Sequence, residues 1–182
     1  MSEVAERYGR IADGFTARLE AVPPGAWGKP SPCPDWTAHD VAQHVIDTTR
    51  RLLTRLTGGD PTPPDTGEDL AAAWRVESEG VKAALADPER AATEVKGMGG
   101  TQPFEGLVGG VMCADTLIHT WDLARATGQD EQLDHDGVAA AHAFLAPNDE
   151  MLRVPGGFGP KIEPPAAADE QTRLLTFVGR QP

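Results

Sequence analysis

The stretch Val111–Gly128, VMCADTLIHTWDLARATG, decides the fold. It is apolar and Ala-rich, its spacing is that of a helix, and it contains no strand-like alternation. Its polar residues are not scattered. Successive helical residues lie about 100° apart, so Asp115, His119 and Asp122 fall on one face together with Val111 and Ile118. A helix that turns two carboxylates and an imidazole toward apolar neighbours must satisfy them there, because an unpaired buried carboxylate is costly.

Outward from this stretch the chain reads as helices. Val4, Tyr8, Ile11, Phe15, Leu19 and Val22 recur at spacings of three and four, and PPGAW ends that run. After KPSPCPDW, Thr37 can cap a second helix with Asp40 three positions on, and Val41, Val45, Thr48, Leu52 and Leu56 form its stripe. TGGDPTPPDTGED reads as a connector, from which a third amphipathic run emerges over Glu68–Ala86 with Leu70, Trp74, Val81 and Leu85 inward. KGMGGTQPF leads into a fourth helix over Pro103–Thr127, with Gly128 as its C-terminal cap. DGVAAAHAFLA suggests a fifth, followed by an irregular stretch and a helical turn or two in QTRLLTFVG. Four long helices predict an all-α chain: an antiparallel four-helix bundle in one domain, residues 1–182, with a short, mostly irregular C-terminal extension.

Charge narrows the partners. Sixteen Lys and Arg against 28 Asp and Glu give a formal net charge of −12, which repels phosphate backbones and anionic headgroups, so neither nucleic acid nor membrane is an expected partner. No segment has the apolar length of a membrane span, and MSEVAERYGR is charged and unlike a secretion signal, so a cytoplasmic location is expected. Cys33 and Cys113 read as free thiols in such a compartment.

Among the candidates for chemistry, His44 sits inside the apolar stripe of the second helix, three residues after Val41. Its imidazole can therefore meet Asp115 and His119 across the core. One divalent cation held by His44, Asp115 and His119 would neutralise the carboxylate and use the imidazole lone pairs, leaving a coordination position open as catalytic sites do. The same spacing also suits a buried His–Asp pair without metal, and zinc, nickel and ferrous iron suit this donor set alike. Asp122 can orient a ligating imidazole or pair with Arg125. His39 falls on another side of its helix, while His135 and His142 lack an acidic partner on an apolar face. The GMGG loop could cradle an anion but lacks the strand and Lys-Ser/Thr of a nucleotide loop. No G-x-S-x-G elbow occurs.

SPCPDWTAHDVAQHV, CADTLIHTWDLARATG and GGFGPKIEPPAAADEQTRLLTFVGRQP together resemble actinobacterial metal-binding proteins of the DinB-like superfamily, related to the N-terminal domain of mycothiol-dependent maleylpyruvate isomerase. The resemblance implies a four-helix bundle with a three-residue metal site falling on His44, Asp115 and His119, zinc being the favoured ion. It further implies a low-molecular-weight thiol, mycothiol, as cosubstrate of a transferase or isomerase acting on a small electrophile. A non-catalytic bundle binding metal or a small ligand is the alternative. The isomerase carries Glu where this chain has Asp115, and its additional C-terminal domain has no counterpart in these 182 residues, so isomerisation of maleylpyruvate itself is not expected. A homodimer paired through an exposed helix face is compatible with a bundle, and no stripe in the sequence selects it.

Overall fold

The computed structural model describes residues 1–59, 69–97, 100–153 and 157–182. Most of the connector expected over 57–69, the third helix's start at Glu68, and Met98 and Gly99 of the GMGG loop lie outside the described residues.

Helix α1 spans Glu3–Glu20 and starts where the Ser2 side chain accepts the Ala5 N–H. Helix α2, Ala38–Thr57, carries the expected capping box: the Thr37 hydroxyl accepts from Asp40 N, and the Asp40 carboxylate accepts from Thr37 N at 2.8 Å. Helix α3, Leu70–Ala86, is capped by Asp69. A four-residue turn, α4 (Pro88–Ala91), leads to an antiparallel pair of strands, β1 (Glu94–Gly97) and β2 (Gly100–Pro103), in register Glu94 with Pro103 and Gly97 with Gly100.

The helix expected without interruption over Pro103–Thr127 is built in three parts. They are α5 (Phe104–Leu107), a π-helical turn (Val108–Met112) and α6 (Cys113–Thr127), which ends as expected at Gly128 in the left-handed region. The π turn contains Gly109 and Gly110, where side chains would collide with neighbouring helices: a Cβ on Gly110 would lie 2.6 Å from Phe144. Helix α7 (His135–Leu145), a short α8 (Asp149–Leu152) and α9 (Glu170–Phe177) complete the chain.

The four long helices form a ring in which α1 packs on α3 and α6, and α2 packs on the same two helices. Sequence neighbours α1 and α2 therefore face each other across the ring. Helix α7 lies against α6 and α1, and α9 lies against α7. The apolar stripes read from the sequence fill the core: Tyr8, Phe15, Val41, Val45, Trp74 and Val81 are all fully buried. Phe15 and Trp74 meet edge to face at 4.9 Å, and the Trp74 indole N–H donates to Thr16. Helix α6 is buried nearly all round because it is clasped by α1, α2 and α7, which is why its polar residues need partners inside the protein. Among the described residues no helix is long and apolar enough to cross a membrane.

Candidate metal centre

Helices α2 and α6 bring His44, Asp115 and His119 together. Asp115 Oδ1 lies 3.4 Å from His44 Nε2 and 3.6 Å from His119 Nε2, and the candidate ligand atoms of all three residues lie within 4.8 Å of one another. Two donor arms of about 2.1 Å meeting at a tetrahedral angle put their atoms about 3.4 Å apart, so the spacing fits a single ion. The other Asp115 oxygen, Oδ2, is buried and has no hydrogen-bond partner among the described residues. A carboxylate so placed between two imidazoles calls for a positive charge, either a proton on an imidazole or a cation.

The three residues are not equally enclosed. The His44 and Asp115 side chains are 32% and 22% exposed, while His119 is 8% exposed, so the cluster is open to solvent on the His44 side and sealed behind His119. The sequence reading places His44 inward; it lies at the rim.

Behind His119 stands a second set of groups. Its Nδ1 donates to Asp122 Oδ2 at 2.9 Å, which leaves Nε2 directed at Asp115 as a lone-pair donor in the neutral ring. Asp122 is fully buried and also accepts two bonds from Arg180, 2.9 Å to Oδ1 and 2.8 Å to Oδ2, and one from the Cys33 thiol at 3.2 Å. Arg180 Nη2 in turn lies 3.1 Å from Cys33 Sγ. Of the two roles read for Asp122, the structure has it orienting His119, and Arg125 pairs with Glu131 instead.

Arg180 was not singled out by the sequence. Helix α9 ends beside the site, Gly179 takes the left-handed conformation with φ +82°, and Arg180 N donates to Leu175 O at 2.8 Å, which aims the guanidinium inward. A Cβ on Gly179 would lie 2.9 Å from Pro160 O. Trp36 was not singled out either. Asp35 beside it has φ +65°, unusual for a residue with a side chain, and the Ser31–Trp36 loop is closed by Ser31 N donating to Trp36 O. The loop sets the indole 4.8 Å from the His44 ring and 5.9 Å from the His119 ring.

Charge follows this geometry. Burial acts against protonating His119, but Asp115 and Asp122 on either side outweigh it and push its pKa up to about 10. Burial acts against ionising Asp115, but the two imidazoles hold it below the ordinary carboxylate value. Asp122, also buried, is held well below that range by Arg180 and His119. Cys113 lies buried elsewhere, and burial pushes its thiol up to about 11, which makes it unreactive. His39 and His135 are exposed, and His142 packs beside Phe177, so none of them joins the cluster.

Residues 8–124 match the family model described as the mycothiol maleylpyruvate isomerase N-terminal domain. The chain is 31% identical over 176 residues to Uncharacterized protein Rv0738 of Mycobacterium tuberculosis strain H37Rv, covering 94% of each chain. The same figures hold for Uncharacterized protein MT0763 of strain CDC 1551 / Oshkosh. No solved structure matches the chain significantly. With almost two thirds of its residues under one family model, and with Cys33, His44, Asp115, His119 and Asp122 all inside that segment, the chain belongs to the family of the mycothiol maleylpyruvate isomerase N-terminal domain.

Proposed function

We propose that the chain binds one divalent cation, zinc by preference, through His44, Asp115 and His119, and with it binds a low-molecular-weight thiol for transfer to, or isomerisation of, a small electrophile. Asp115 carries the reading. Its Oδ1 lies between two imidazole Nε2 atoms while its Oδ2 is buried without a partner among the described residues, a demand for positive charge that a cation meets. When bound, the cation favours thiolate over thiol, and thiolate is the nucleophilic form. Two His and one carboxylate are a donor set of catalytic zinc sites. Support for mycothiol comes from the family and from the mycobacterial relatives.

The chain's own residues do the positioning. Asp122 holds the Nδ1 proton of His119 and so keeps Nε2 free to ligate. Arg180 fixes Asp122 through two hydrogen bonds. Trp36 stacks on the His119 ring and packs at a tilt against the His44 ring, which restrains both imidazoles. The exposed edges of His44 and Asp115 leave an approach for thiol and electrophile.

Metal content of the purified protein tests the site: one ion per chain is expected in the wild type and none in His44→Ala or Asp115→Ala. Retention of the ion in both variants refutes it. The thiol is tested on the metal-loaded protein, which mycothiol at a hundredfold excess over its Kd should stabilise by about 2.7 kcal/mol. Neither stabilisation by the thiol nor thiol-dependent loss of an electrophile would leave a non-catalytic metal-binding bundle.

A further inference from the structure

His119 offers its two ring nitrogens to two different sets of groups. Nε2 faces Asp115, whereas Nδ1 lies 2.9 Å from Asp122 Oδ2 and 4.0 Å from Cys33 Sγ. Cys33, His119 and Asp122 form a cluster of their own. Their candidate ligand atoms lie within 4.8 Å of one another, and all three side chains are buried. A thiol, an imidazole and a carboxylate are together a donor set for a thiophilic divalent ion, and their burial makes the site a closed one. A cation already stands on it: the Arg180 guanidinium bonds both oxygens of Asp122, at 2.9 and 2.8 Å, and Cys33 Sγ at 3.1 Å.

We propose that Cys33, His119 Nδ1 and Asp122 are an alternative, closed metal site that Arg180 keeps filled, so that an ion reaches His119 only from the open side of His44 and Asp115. The steering rests on the reading of the open site given above. An ion on Nδ1 displaces the proton there to solvent and leaves the one remaining ring proton on Nε2, which removes a ligand from the open site. Filling the closed site also releases the Cys33 thiol proton to solvent and expels the guanidinium, which keeps its charge. With Arg180 present, the ion must replace a cation already held by three charge-assisted hydrogen bonds, and the open site wins. Without it, Asp122 is a buried carboxylate short of positive charge, and the thiolate draws a soft ion inward. Arg180 thereby determines which face of His119 carries metal.

Cadmium is the probe, because its bond to a thiolate gives an ultraviolet charge-transfer band. Titrated with cadmium chloride, the wild type is expected to bind one ion without the band, and Cys33→Ser to bind with the same affinity. Arg180→Gln is expected to bind one ion with the band, to lose the band when Cys33→Ser is added, and to keep binding when His44→Ala is added. A Cys33-dependent band in the wild type overturns the proposal, as does Arg180→Gln binding cadmium without the band. Arg180→Gln remaining unfolded by circular dichroism in excess cadmium also counts against it, since the ion must then replace the guanidinium. The two readings fail separately. A wild type that binds no cadmium through His44, beside a Cys33-dependent band in Arg180→Gln, sinks the open site and leaves the closed one.

Discussion

At His119 two carboxylates hold one imidazole, and this makes the metal-free protein sensitive to pH. The pKa of His119 is raised from about 6.5 to about 10, so its contribution to stability is complete below the unfolded value and lost as pH rises through 10. Between those limits His119 holds its extra proton in the native chain and loses it in the unfolded one, so stability falls as pH rises. Asp115 and Asp122 have lowered values, so their contributions are present above the ordinary 3.8 and are lost as pH falls. Urea denaturation of the metal-free protein should therefore show greatest stability between about pH 4.5 and 6.5, and loading with metal should flatten the alkaline decline. Asp122→Asn keeps the shape but removes the charge. It leaves Arg180 buried without a counterion, at a cost of about 3–5 kcal/mol in urea denaturation. Metal affinity, measured by competition with a chelator, should fall by about 10–100-fold as His119 loses its anchor. Asp115, His119 and Asp122 are legible in the sequence because helical spacing alone places them on one face. Arg180 is not, because 58 residues separate it from Asp122 and no periodicity marks the tail.

Helix α6 is where the elements decide the site. A uniform α-helix from Pro103 to Thr127 would carry one constant phase, but the π turn at Val108–Met112 is wider and resets the phase just before Asp115. VGGV holds the signal for this: paired glycines in a helical run are poor helix formers, tolerated where another element approaches closely. Gly110 allows Phe144 of α7 to press against the turn, and Gly110→Ala would place a Cβ 2.6 Å from its ring. Thermal or urea unfolding of that variant should show a loss of about 1–3 kcal/mol. The helices and the α2 capping box could be read because stripes of 17 to 20 residues repeat their signal several times. The β1–β2 pair could not. Each strand has four residues, too few for alternation to stand out, and Gly97, Gly100 and Pro103 read more simply as a loop.

For the molecule as a whole, the bundle and the tail contribute to one centre from opposite ends of the chain. Cys33 and His44 come early, Asp115 to Asp122 come from α6, and Arg180 comes from beyond the segment that the family model matches. Ending the chain after Val178 should cost about 3–5 kcal/mol in urea denaturation, because Asp122 loses its guanidinium. Removing only Gln181 and Pro182, both exposed, should cost no more than about 0.5 kcal/mol. The Asp122–Arg180 pair also orders events during synthesis. At about 5–20 residues per second, Asp122 is joined to the growing chain roughly 3–12 s before Arg180 is. Through that interval the helices can assemble, while the carboxylate at their centre has His119 but not yet its guanidinium. The tail is thus the fastener, and the newborn chain matures from scaffold to finished centre only once Arg180 arrives.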